Sequence, residues 1–138
     1  MTAEEIKETL FSAARVKFPS IDKDSTLSAQ VEQVQDYLII TAQRHADLLE
    51  ARLHAQFALD LLEDEWEMLP RPDWEDFLLN PSHPTNKMIE MAKSNVRPDI
   101  YGAMRELRRL SSRIAEQINR FELDDKRASR TYTMLTGG

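Results

Sequence analysis

Cysteine is absent from this chain of 138 residues, which excludes a disulfide framework, a thiolate nucleophile and sulfur-ligated zinc or iron. Glycine is scarce: 3 residues, two of them the last in the chain, so no glycine-rich turn is present to cradle a phosphate or frame an oxyanion. Proline is confined, with four of the 6 at positions 70, 72, 81 and 84, so the rest of the chain has little turn chemistry and few, long elements are expected. Long hydrophobic runs are missing too, the longest spanning about four residues, and the chain opens on Thr2, Ala3, Glu4 and Glu5. We therefore expect no membrane span and no signal peptide, with the protein held in the cytoplasm. The length suits one domain with its own core, and a 41% hydrophobic content is that of a folded protein.

What the sequence does carry is apolar residues at heptad spacing. Steps of 3 and 4 join Leu27, Val31, Val34, Leu38, Thr41, His45, Leu48, Arg52, Ala55, Leu59, Leu62, Trp66 and Leu69. Strict sevens join Ile100, Leu107, Ile114, Phe121, Ala128 and Leu135. Both patterns predict long helices that need partners along their length. Beside the first seam, Ile39, Ala42, Ala46, Leu49 and Leu53 form a second stripe that widens the apolar face. A helix over 27–69 would be roughly 64 Å long, against a radius of gyration near ~14 Å for a ball of this chain length, so the helix either bends or projects as a rod whose seam a second chain covers, and homo-oligomerisation is expected.

Around these helices the signals are local. Thr2 and Glu5 have capping-box spacing and start a first helix that runs to about Phe18, before Pro19. Residues 19–26 read as a polar linker in which Ser25 or Thr26 caps the long helix. After the proline-broken turn 70–84, Thr85 or Asn86 caps a short helix ending near Asn95, and a last helix starts at Pro98 and Asp99 and persists to about Arg130. The fold class is therefore all-α: an antiparallel long-helix bundle or hairpin with coiled-coil-like seams, homo-oligomeric, with 27–130 as the assembly domain and 131–138 as a tail.

Charge is divided along the chain. The net charge is -6, but residues 1–96 hold 9 basic against 18 acidic side chains and residues 97–138 hold 9 against 6. Arg105, Arg108, Arg109, Arg113, Arg120, Arg127 and Arg130 cluster on the last helix. Their forks suit phosphates or an acidic partner, and they equally suit pairing with Glu106, Glu116 or acids of the long helix. Only Tyr101 and Tyr132 stand near them for base stacking. Residues 63–77 alternate acids with large aromatics, and Trp66, Trp74, Phe77, Glu75 and Asp76 form a candidate docking surface for a basic partner. The alternative use of Trp66 and Phe77 is to close the end of the bundle. His45 and Arg52 stand one heptad apart on the first seam, where polar groups fix register or oligomer state at a cost in stability.

Catalytic and metal signatures are not found. Glu50 and His54 lie one turn apart without the repeat that a helical di-iron site requires, and His83 has no nearby second ligand. Glu5 and Glu8 are similar to the first half of the magnesium motif of helical nucleotide pyrophosphatases, and the second half is missing. We therefore expect no catalytic residue, no metal, no cofactor and no small-molecule substrate.

In size and element order, the long seam helix, the proline-broken acidic turn, the short helix and the arginine-bearing last helix resemble small helical accessory proteins of tailed phages. Residues 27–130 are similar in organisation to the recombination mediators of T4-like phages and, less closely, to the oligomerisation core of small terminase subunits, without the N-terminal helix-turn-helix common in the latter. The resemblance implies a ring-forming, non-enzymatic protein of the host cytoplasm that partners with itself and with single-stranded DNA or a DNA-processing protein. The reading set against it is an acidic interaction module, an inhibitor or adaptor, acting through residues 63–77.

Overall fold

The computed structural model describes residues 1–70 and 85–137. Every regular element among them is helical: α1 (Ala3–Ala14), α2 (Leu27–Glu67), α3 (Asn86–Val96) and α4 (Pro98–Thr136). Three starts are fixed by threonine hydroxyls. Thr2 Oγ1 accepts from the Glu5 amide at 3.2 Å, Thr26 Oγ1 from the Ala29 amide at 3.2 Å and Thr85 Oγ1 from the Met88 amide at 3.3 Å, each satisfying one of the amides a helix start leaves unpaired. α4 starts differently, with Pro98 at its first position, where a missing amide costs nothing, and Asp99 in the first turn, where a carboxylate meets the positive end of the helix dipole.

The described residues form two compact units, Met1–Ala55 with Leu110–Gly138, and Gln56–Arg109. In the first, α1, the early part of α2 and the later part of α4 enclose a core of Ile6, Ala13, Val34, Leu48, Ala51, Ala55, Leu110, Ile114, Ile118, Phe121 and Ala128. α2 and α4 run antiparallel here: Thr41 meets Asp125 and, further back on α2, Gln35 meets Tyr132 further along α4. α1 ends at Ala14, short of the expected Phe18. Val16, Phe18 and Ile21 leave the helix to cover Val34, Tyr37 and Ala128, Phe18 meeting Tyr37 edge-on at 5.3 Å with the Arg127 guanidinium 4.0 Å from the centre of its ring. The linker then turns on Asp22, whose side chain accepts from the Asp24 amide at 2.9 Å.

α4 runs on past Arg130 to Thr136. Thr131, Thr133 and Thr136 donate their hydroxyls to the carbonyls of Arg127, Ser129 and Tyr132, while Tyr132 and Leu135 pack on the same cluster as Phe18. Burial of those two side chains offsets the modest helix propensity of the threonines.

The core of the first unit also holds polar groups. Thr41 is fully buried and its hydroxyl lies 2.8 Å from Asp125 Oδ1 and 3.1 Å from the Leu38 carbonyl. Tyr37 is buried with its hydroxyl unpaired among the described residues, and burial, then the negative charges of Asp124 and Asp125, push its pKa up to about 12. An unfolded chain releases the tyrosine proton near pH ~10. The contribution of Tyr37 is therefore fully present below pH ~10 and is lost as the pH rises to about 12. Tyr37→Phe is expected to flatten this alkaline limb, because the variant has no hydroxyl to titrate there; denaturant midpoints measured across the alkaline range check it.

The second unit joins the end of α2 to α3 and the start of α4 around Leu59, Ala92, Ile100, Met104 and Leu107. Arg97, between α3 and α4, holds Asp99 through two hydrogen bonds of 3.1 and 3.0 Å and reaches Glu65 at 3.5 Å. The bond from Arg97 holds the Asp99 carboxyl below the usual carboxylate range, and the bond to Asp99 holds the Arg97 guanidinium above its own.

Candidate binding surfaces

Arg113, Arg120 and Arg127 recur every seven residues on α4 and so share one face, with Arg130 less than a turn beyond. All four are exposed. Their surroundings differ. Arg120 reaches Asp124 on its own helix at 3.8 Å, and Arg127 lies over Phe18, a contact that orients the fork without neutralising it. Arg113 and Arg130 have no acid partner among the described residues. In the other unit, Arg108 pairs with Glu63 at 3.3 Å, Arg105 lies 5.8 Å from the centre of the Tyr101 ring, and Arg109 is exposed without an acid partner among the described residues. Pairing with acids thus engages Arg108 with Glu63 of α2 and Arg120 with Asp124 of its own helix, and the other guanidinium groups of the cluster stay in water.

The two stripes on α2 part company in the fold. Val34, Thr41, Leu48, Ala55 and Leu59 of the first seam are buried against the chain's own helices, so these five positions are used internally, while Leu27 and Arg52 of the same seam are exposed. Of the second stripe, Ile39, Ala42, Ala46, Leu49 and Leu53 are all exposed, Leu53 by 73%. His45, half-buried, and Arg52, exposed, lie between the two stripes.

Trp66 is half-buried against its neighbours. Its ring centre lies 5.9 Å from that of Tyr101 at a 33° tilt, and Lys93 donates to its carbonyl at 3.2 Å while standing 5.9 Å from the ring. The docking candidates Trp74, Glu75, Asp76 and Phe77, and also His83, lie outside the described residues. Among the described residues no group of three or more histidines and acids is placed to hold a metal ion; Glu50 and His54 meet alone at 3.7 Å. No helix among these residues is long and apolar enough to cross a membrane.

Two features escaped the sequence pattern. The Thr41–Asp125 bond links residues far apart in the chain, and only the antiparallel register of α2 and α4 shows it. The stacking of Arg127 on Phe18 likewise depends on where the linker returns. No family model, curated protein or solved structure matches this chain.

Proposed function

We propose that this chain is a non-enzymatic helical accessory factor in nucleic-acid transactions, of the phage recombination or packaging type, which works as an assembly of copies and contacts phosphates through the arginines of α4. The observation that carries the reading is the row of Arg113, Arg120, Arg127 and Arg130, exposed along one side of the helix with a single weak acid contact at Arg120. Guanidinium forks spaced along a rigid rod suit a polyanion, whose phosphates repeat along its length. The chain as a whole is acidic, at -6, so long-range attraction is weak and binding depends on this local face.

The test is fluorescence anisotropy of a labelled single-stranded oligonucleotide, with polyglutamate as the comparison polyanion. Saturable binding of the oligonucleotide that survives near physiological salt and exceeds that of polyglutamate supports the reading. Equal binding of both polymers, or none of the oligonucleotide, overturns it.

A further inference from the structure

The exposed residues Ile39, Ala42, Ala46, Leu49 and Leu53 of α2 follow steps of 3, 4, 3 and 4, the spacing of a coiled-coil seam. They lie in one unit and on the side of α2 turned away from the buried Val34, Thr41 and Leu48. Isolated exposed apolar side chains are ordinary, but a two-heptad apolar row is not. Ala42 and Ala46 allow a second helix to approach closely, and Ile39 and Leu49 occupy the places where a β-branched residue and a leucine favour two parallel strands.

The flanks of this row identify the occupant. One side carries Asp36, Gln43 and Glu50, each seven residues from the next, and the other carries His45 and Arg52, also seven apart. In a parallel pair in register, the flank of one helix meets the opposite flank of its copy, and His45 comes beside the partner copy's Glu50. In an antiparallel pair each flank meets itself, acid against acid and base against base, which is unfavourable. Building on the self-association put forward above, we propose that a second copy of this chain docks along this row, parallel and in register. His45 thereby sets the register of this second contact, while Arg52 falls beside Phe57 of the second copy.

The absence of native cysteine makes the test clean. Ala42→Cys and Leu53→Cys are prepared as single variants and oxidised gently, alongside a Leu49→Glu, Leu53→Glu double variant, with mass in solution measured by light scattering and helicity by circular dichroism. Parallel docking brings each introduced thiol to its own copy within disulfide reach, about 7 Å between Cα atoms. Both single variants are expected to give covalent dimers, and the double glutamate variant is expected to keep its helicity and lose the dimer. In an antiparallel pair, residues roughly 16 Å apart along the helix cannot both sit at the two-fold centre, so cross-linking at one position alone overturns the parallel register. A stable oligomer with neither position cross-linked overturns this surface while leaving self-association intact. A monomer at every concentration overturns both.

Discussion

Replacing Arg113, Arg120 and Arg130 together by glutamate is expected to weaken oligonucleotide binding by at least about tenfold at low salt and to leave the fold unchanged. All three side chains are exposed, and the one ion pair among them is the 3.8 Å contact of Arg120 to Asp124, a surface pair worth little to stability. Arg127 is left in place because its stacking on Phe18 helps hold the linker. If each arginine neutralises one phosphate, the salt slope falls by about 0.7 per residue on a single strand, so the triple variant loses about two units of slope. Lys23→Glu, on the exposed linker, is the charge-reversal control matched to any one of these replacements, and it is expected to change binding far less than a single arginine reversal on this face. Undiminished binding by the triple variant would move the site off this face of α4.

The largest effect on stability is expected at Phe121. Among the described residues its side chain is the largest of those fully buried, at 1% exposure, and it lies in the core of the first unit. Phe121→Ala removes the buried ring and leaves a cavity in the core of the unit, at a cost of about 3–5 kcal/mol. Against the stability of an ordinary domain, about 5–15 kcal/mol, that leaves little in reserve. The melting temperature should fall by roughly 10 °C or more. Leu123, two residues on and 67% exposed, supplies the contrast: Leu123→Ala is expected to stay within about 0.5 kcal/mol of the parent. Equal losses at the two positions would mean that α4 is turned otherwise than described.

The comparison of Phe121 with Leu123 also shows what could be read from the sequence. On α4 the sevens from Ile100 to Ala128 mark residues that are all buried, because one strongly apolar row faces an otherwise charged helix surface and nothing competes with it. α2 offered two rows of similar apolar content, and periodicity cannot say which one turns inward. That choice is made by partners distant in sequence: Asp125 meeting Thr41, and Phe18 and Ala128 enclosing Tyr37. The same reason explains α1. Helical spacing continues to Phe18, but burial against Tyr37 draws Val16 and Phe18 out of the helix. Trp66 stood in an acidic stretch that suggested docking, and Lys93 and Tyr101, which half-cover it, come from helices that local composition cannot bring near. The arginine row was legible as a row. Which of its members meet acids depended on the pairing of Arg108 with Glu63 across two helices.

The most direct test of nucleic-acid binding by α4 is the dependence of oligonucleotide affinity on salt, measured side by side for the parent protein and for the Arg113, Arg120 and Arg130 triple glutamate variant. Phosphate contact through this face predicts a steep linear fall of log affinity with log salt for the parent and a slope shallower by about two for the variant. Parallel lines of equal slope, or a parent whose affinity does not respond to salt, would contradict it.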